Sequence, residues 1–320
     1  MRFLLDMLRI RRVEYRVAEI PILAVPVLLT IESAAPLRTS AFWEGVLVLI
    51  LLFSFGDMIN CLADRDLDAV YKPHLSQAVY RLGVRCVAWQ VAATAAAALG
   101  LAVHLSWRLG RWTLLGLVAM GLALGAAYSV EPVRLKGRGL AQLACLWLII
   151  FVGPMLFAAS LIEALPSPTV IAFAALYGAL QMGVILVNTA EDYPEDRAAA
   201  VRTTIVALGL RRGVALAAWL ALGGSLGVLG TLAFLFVRRP VPPLGWTAWL
   251  AVAAACGAVT ASLWRLKRQV AETDLEEGIR TVKSAGRSVP VWVTAVAWTT
   301  LAAALVLFRA RTGYFTSIGP

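Results

Sequence analysis

The sequence predicts an all-α integral membrane protein that crosses the bilayer with nine transmembrane helices and has a cytoplasmic N-terminus. The first observation is composition: 60% of the 320 residues are apolar and 15% are charged. Soluble domains are about 45–50% apolar and about 25% charged. The second is a series of nine apolar stretches, each of about 20 residues, which is the length that a helix needs to span a bilayer. The third is an uneven distribution of basic residues between the two ends of these stretches.

The apolar stretches follow one another along the whole chain, so we expect a single membrane domain over residues 1–320. They cover approximately residues 15–34, 42–61, 83–104, 110–129, 140–163, 168–190, 213–237, 245–264 and 289–308.

The basic residues orient these spans. Of the 29 lysines and arginines, 22 fall on the N-terminal tail and the even-numbered connections, and 7 fall on the opposite side. Cytoplasmic loops carry the excess of lysine and arginine, which predicts a cytoplasmic N-terminus. The longest connections lie on that side, where we therefore expect any chemistry. A net charge of +10 could suit nucleic acid, but the charges form short clusters between apolar runs, so nucleic acid is not an expected partner.

Two acidic sets at the cytoplasmic side share one spacing. The chain has only two asparagines, and each begins the pattern Asn-x-x-x-Asp-x-x-x-Asp. The sets are Asn60/Asp64/Asp68 and Asn188/Asp192/Asp196.

Residues four apart share a helix face, so each set presents one amide and two carboxylate oxygens in a row. Mg²⁺ prefers oxygen ligands and commonly binds one or two carboxylates together with substrate phosphates. Two facing rows therefore predict Mg²⁺ ions around a diphosphate. Pro194 predicts a helix end, which would place Asp196 on a loop. Two other interpretations stay open: solvated helix ends, and a carboxylate relay for protons.

A basic loop follows the fourth stretch. Pro132, Gly137 and Gly139 predict a turn, and Arg134, Lys136 and Arg138 supply three positive charges. These cations could neutralise a departing diphosphate, or they could only anchor the loop on the cytoplasmic side. Charge alone does not decide between the two.

These motifs, taken in order, resemble those of the UbiA superfamily of intramembrane prenyltransferases. The first acidic row, followed by Lys72 and Pro73, is similar to the family's N-D-x-x-D-x-x-x-D signature and its N-K-P tail. Residues 128–139 are similar to the stretch Y-S-x-x-P-x-R-x-K-x-x-G, and residues 188–203 resemble the second aspartate motif and its G-K/R-R-T segment. The chain departs from the family at Cys61, where the family has aspartate, at residues 74–77, which replace an R-P pattern, and at Ala200, where many members have glycine.

The resemblance implies a nine-helix bundle around a central cavity that opens into the lipid. It also implies an Mg²⁺ cofactor and a polyprenyl diphosphate donor, with these metal ligands: Asn60, Asp64, Asp68, Asn188, Asp192 and Asp196. The implied diphosphate contacts are Lys72, Arg134, Lys136 and Arg202. Arg134 and Lys136 would also take part in catalysis together with Tyr128, which would lie near the allylic carbon.

The expected activity is Mg²⁺-dependent transfer of a prenyl group from a polyprenyl diphosphate to an aromatic or other lipophilic acceptor within the membrane. The alternative is an intramembrane terpene cyclase that uses the same diphosphate site. A transporter is disfavoured because the acidic residues lie at one interface rather than at the bilayer midplane. The expected partners are the donor, the acceptor and the lipid bilayer, and no obligate protein partner is evident.

Three further expectations concern residues outside the motifs. Glu14, Arg16 and Glu19 open the first stretch and are candidates for binding the acceptor. Residues 265–288 read as a mixed-charge amphipathic helix at the membrane interface. Arginine outnumbers lysine 25 to 4, which is typical of a GC-rich bacterial genome, so we expect a bacterial inner membrane with the active site at its cytoplasmic face.

Overall fold

The computed structural model describes residues 2–238, 241 and 243–312, without the side chain of residue 244. Arg239, one of the seven basic residues assigned to the outer side, lies outside the described residues. The α-helices are α1 Arg2–Arg9, α2 Arg16–Thr30, α3 Ser40–Ala63, α4 Arg65–Tyr71, α5 Pro73–Leu82, α6 Val84–Leu109, α7 Trp112–Ser129, α8 Leu140–Leu146, α9 Gly153–Ser160, α10 Pro168–Glu191, α11 Tyr193–Ala198, α12 Thr204–Leu208, α13 Leu210–Arg238, α14 Pro243–Glu272, α15 Leu275–Gly286 and α16 Val289–Thr312.

Eight helical segments of the described chain are long and apolar enough to cross a membrane: α3, α6, α7, the continuous run from α8 to α9, α10, α13, α14 and α16. The chain is thus an all-helical, multi-pass membrane protein, as predicted. The stretch at 15–34 forms α2, which has only 15 residues and contains Pro21 and Pro26. At 1.5 Å per residue α2 is about 22 Å long, shorter than the roughly 30 Å hydrocarbon core. The prediction of nine full crossings is therefore not confirmed.

The long helices form two packed groups. Helices α3, α6 and α7 pack together around Val48 and Leu114. Helices α10, α13, α14, α16 and α2 form the second group. Helices α10 and α13 approach so closely that a Cβ atom on Gly224 would lie 2.4 Å from the backbone nitrogen of Leu180. Small residues at such crossings allow backbones to meet.

A π-helical turn, Trp147–Val152, connects α8 to α9 within one membrane span. Such turns are rare and often mark functional sites. Four of its residues, 148–151, line the cavity described below. The turn therefore shapes the apolar wall of that cavity.

Both acidic rows run across the end of a long helix. Asp64 separates α3 from α4, and Asp192 separates α10 from α11. Asp196 lies on α11, so the prediction that it would lie on a loop is wrong. Pro194 stands in the first turn of α11, where proline is tolerated because that N–H has no partner within the helix. The break therefore comes two residues before the proline.

The connection at 265–288 also differs from the single interfacial helix that we predicted. Residues up to Glu272 continue α14, and α15 begins after Asp274, whose side chain accepts a 2.8 Å hydrogen bond from the Glu277 N–H. Helix α15 packs against α10, and its Lys283 Nζ lies 2.9 Å from Glu195 Oε1. This connection therefore packs beside the second acidic row.

Candidate active site

One cavity of about 560 Å³ brings the two acidic rows together. Its lining includes five of the six predicted metal ligands, which are Asn60, Asp68, Asn188, Asp192 and Asp196. Asp64 lies behind this lining, and only 1% of its side chain is exposed. The rows come from helices in different packed groups, so they face each other at one end of the cavity.

Two cations of the basic loop hold Asp64. Lys136 Nζ forms a short ion pair with Asp64 Oδ2, and a terminal nitrogen of Arg134 lies 3.3 Å from Oδ1. The third cation, Arg138, instead donates hydrogen bonds to the carbonyl oxygens of Pro132 and Val133. Two of the three loop cations are thus directed towards the acidic row.

Lys72 extends the positive charge to the second row, since its Nζ lies 3.4 Å from Asp192 Oδ2. Burial raises the pKa of the Asp68 carboxyl, and nearby Lys72 and Lys136 lower it. Burial also raises the pKa of Asp196 to about 6, against the hydrogen bond from Thr203 and the same two lysines. Lys72 and Lys136 therefore act on both rows.

The basic loop is fastened to the segment that follows the second row. The Gly139 N–H donates to the Arg202 carbonyl oxygen at 2.8 Å. The Thr204 hydroxyl donates to the Gly139 carbonyl oxygen at 2.8 Å, and the Thr204 N–H donates to Gln142 Oε1 at 2.7 Å. Gln142 also hydrogen-bonds Tyr128, and both side chains line the cavity. Sequence reasoning missed Gln142, although a lone amide in an apolar stretch was the available signal.

The structure does not bring every predicted residue to the cavity. Arg202 is exposed, and its backbone carbonyl, rather than its side chain, contacts the basic loop. Conversely, Tyr71, Glu195 and Thr203 line the cavity beside the rows, and the sequence analysis assigned none of them a role there.

The rest of the cavity wall is largely apolar. It is lined by side chains from several spans, including Leu49, Leu52, Phe53, Leu124, Ile149 and Phe157. A cavity with fixed cations and carboxylates at one end and hydrocarbon along its wall suits a ligand with a charged head and an apolar tail.

The donor set suits Mg²⁺. All six candidate ligands offer amide or carboxylate oxygens, and Glu191 Oε1 and Glu195 Oε2 are buried beside the second row without a hydrogen-bond partner. Within the described part of the chain, no three carboxylate, histidine or cysteine side chains already form a cage for a metal ion. Mg²⁺ does not require such a cage, because it retains water and binds substrate phosphates.

Residues 20–276 match the model of the UbiA prenyltransferase family. The chain belongs to this family. A UbiA homologue from Archaeoglobus fulgidus bound to GPP and Mg²⁺ superposes with a TM-score of 0.63 and 17% identity, over 92% of this chain and 99% of that one. Digeranylgeranylglyceryl phosphate synthase superposes with a TM-score of 0.66 and 14% identity, over 95% and 99% of the two chains. At these identities the likeness shows the UbiA fold alone.

Two curated relatives are similar in sequence to parts of this UbiA family member. Homogentisate phytyltransferase from Synechocystis is 39% identical over 89 residues, which is 28% of this chain and 27% of that protein. The bacteriochlorophyll synthase 33 kDa chain from Rhodobacter capsulatus is 30% identical over 177 residues, 50% of this chain and 55% of that one. The chain thus spans about half the length, or less, of these relatives.

Proposed function

We propose that this protein catalyses Mg²⁺-dependent transfer of a prenyl group from a polyprenyl diphosphate to a lipophilic acceptor within the membrane. One observation carries the proposal: two Asn/Asp/Asp rows and two lysines face each other at one end of an otherwise largely apolar cavity. Family membership and the GPP and Mg²⁺ in a UbiA structural relative support it.

In this proposal the two rows bind Mg²⁺ and, through it, the donor diphosphate. When bound, Mg²⁺ polarises the phosphoryl oxygens as a Lewis acid. Lys72, Arg134 and Lys136 neutralise the negative charge that develops as the allylic C–O bond breaks, and preorganised charge of this kind is usually the largest catalytic contribution. Tyr128 and Gln142 both face the same cavity, and in this proposal Tyr128 would lie near the allylic carbon.

In this proposal the apolar wall of the cavity also contributes to the reaction, by excluding water. The electron-poor allylic carbon reacts with water unless water is excluded from the site. The hydrocarbon side chains from α3, α7 and the π-helical turn surround the space next to the acidic rows. They would hold the prenyl tail and direct the allylic carbon to the acceptor.

Release of diphosphate by the purified protein in detergent tests the proposal. Prenyl diphosphates of several lengths are supplied with and without Mg²⁺, and with and without a membrane-lipid extract or a phenol. We expect release to need Mg²⁺ and an acceptor, and Asp64→Ala to reduce it roughly 100-fold or more. Asp66→Ala is the matched control, because Asp66 lies two residues away, is 70% exposed and pairs with Arg65.

Two outcomes would contradict the proposed transferase activity. Mg²⁺-dependent release without an acceptor, together with a cyclic hydrocarbon product, would identify a terpene cyclase. The absence of both release and metal-dependent diphosphate binding would exclude both activities.

A further inference from the structure

A charged cluster lies at the wall of the cavity, on the apolar side of the first acidic row. It consists of Arg16 and Glu19 on α2 and Asp57 on α3. A terminal nitrogen of Arg16 lies 3.1 Å from Asp57 Oδ2, and the other pairs with both oxygens of Glu19. Asp57 precedes Asn60 by three residues on α3, so it faces the same way about one helical turn deeper in the span.

Both terminal nitrogens of Arg16 are engaged by the protein itself. Besides Asp57, one of them lies 2.8 Å from the Arg11 carbonyl oxygen and 3.3 Å from Ser54 Oγ. Glu19 and Asp57 line the cavity, while Arg16 does not belong to its lining. A ligand in the cavity therefore meets the two carboxyl groups before it meets the guanidinium.

The charge on this wall is balanced or negative. One guanidinium faces two carboxyl groups, so the cluster has no net positive charge even when one carboxyl is protonated. Arg12 also lines this wall, but it lies 3.6 Å from Glu14 and stacks 4.2 Å from the centre of the Tyr15 ring. Buried carboxylates favour ligands that donate hydrogen bonds, and they disfavour a ligand carboxylate because like charges repel.

We propose that Glu19 and Asp57 form the acceptor subsite, which binds a neutral head group through a hydrogen-bond donor such as a phenolic hydroxyl and excludes acceptors with a free carboxylate. The inference rests on the proposed function, and it narrows the class of acceptor. Glu19 and Asp57 line the same cavity as the two acidic rows, so an acceptor bound by them would share that cavity with the donor. Arg16 positions both side chains.

Equilibrium binding of two matched phenols, without any donor, tests the subsite. Methyl 4-hydroxybenzoate and 4-hydroxybenzoate carry the same phenol and differ in one negative charge. We expect the wild-type protein in detergent to bind the ester at least tenfold more tightly than the acid. Glu19→Gln/Asp57→Asn should gain at least tenfold in affinity for the acid, because the variant leaves Arg16 uncompensated. Asp66→Asn/Glu276→Gln removes two exposed carboxylates and should keep the wild-type ratio.

Equal binding of both phenols by the wild type, or an unchanged ratio in the folded double variant, would overturn the subsite. Comparison with the wild type also corrects for uptake of the ester by detergent micelles. If the double variant does not fold, the wild-type ratio and Asp57→Asn alone decide. Mg²⁺-dependent binding of prenyl diphosphates of several lengths is measured in parallel. Its absence from the wild type would defeat the proposed function and this inference with it, whereas intact donor binding with an unchanged phenol ratio would defeat the subsite alone.

Discussion

Two aspartates only two residues apart at the first acidic row have opposite environments, one buried and one exposed. Asp64 is almost fully buried and contacts Arg134 and Lys136, whereas the Asp66 side chain is 70% exposed and pairs with Arg65. Positions four apart return to one helix face, while positions two apart point to different sides. The inward carboxylate therefore meets cations from a distant loop, and its neighbour meets solvent.

Replacing Lys136 with methionine tests the charge that the basic loop supplies. The variant keeps the length of the side chain but removes the cation that pairs with Asp64, so we expect turnover to fall roughly 10²–10³-fold at saturating donor and acceptor. Lys267→Met is the matched control, since Lys267 lies on α14 over the ring of Trp264 and outside the cavity lining. A loss below threefold in Lys136→Met would contradict the proposed role.

Asp6 makes the attachment of α1 dependent on pH. Its carboxylate is buried and accepts hydrogen bonds of 2.7 and 2.8 Å from Arg81. The hydrogen bonds from Arg81 hold the pKa of Asp6 below its usual value, against the effect of burial. Because the pKa is lower in the folded than in the unfolded state, this contribution to stability is complete above about pH 4 and is lost as the pH falls further.

The measurement is the unfolding temperature between pH 3 and 8. We expect Asp6→Asn to unfold at most roughly 2–4 °C below the wild type at neutral pH, because about 1 kcal/mol causes that shift in chains of 150–250 residues and a smaller one in a chain of 320. The two curves should begin to converge as the pH falls below about 4. Glu276→Gln, which removes an exposed carboxylate of α15, should follow the wild-type curve throughout. A constant gap between Asp6→Asn and wild type down to pH 3 would refute the assignment.

Single residues of the site were predictable where a repeated spacing marked them. The two Asn/Asp/Asp sets were found through their repeated spacing and Lys136 through the charge of its loop, whereas Lys72 was named only through the resemblance to the UbiA family. The contact between Arg16 and Asp57 was not predictable, since it joins two helices across 41 residues and no local period encodes it. Gln142 was missed although, as a lone amide in an apolar stretch, it did carry a signal in the sequence.

At the scale of elements, the conformation of the basic loop depends on one glycine. Gly139 has φ 59° and ψ −122°, a conformation that costs other residues roughly 1–3 kcal/mol, and a Cβ atom there would lie 3.2 Å from the Ala207 Cβ. We expect Gly139→Ala to destabilise the protein by that amount and to reduce turnover, because the loop that carries Lys136 would shift. Thermal unfolding and diphosphate release measure the two effects.

Gly137→Ala is the matched control for this substitution. Gly137 lies in the same loop, its φ is not positive, and the nearest atom to an added Cβ is Val201 Cγ1 at 4.0 Å. Its free energy of unfolding should change by less than about 0.5 kcal/mol. Equal effects at both positions would show that the conformation of Gly139 is not the cause.

Element boundaries were predictable to the extent that hydropathy sets them. The apolar stretches found eight helices that can span a membrane, because the bilayer fixes the length of a span. Hydropathy did not reveal that α2 would be short, that each row would break at its middle aspartate, or that α15 would pack on α10. These features follow from turn geometry and tertiary contacts, to which an average over apolar residues is insensitive.

At the scale of the whole molecule, the cavity lies between two groups of helices. The first acidic row ends α3 in one group, and the second ends α10 in the other. The basic loop joins α7 to α8, and its Gly139 hydrogen-bonds the segment after the second row. A small change in how the groups pack would therefore alter the distance between the rows, so the geometry of the proposed metal and diphosphate site depends on the packing of the entire bundle.

The orientation of the molecule is the remaining prediction, and the chain carries a suitable reporter. Cys61, Cys145 and Cys256 are buried, and Cys86 is exposed in the first turn of α6, at the end predicted to face the cytoplasm. A membrane-impermeant maleimide should therefore label the wild type in inside-out vesicles and leave it unlabelled in right-side-out vesicles. Cys86→Ser/Arg38→Cys moves the thiol to an exposed position before α3, so its labelling should follow the opposite pattern. Labelling of Cys86 in right-side-out vesicles alone would reverse the topology and place the acidic rows at the outer face.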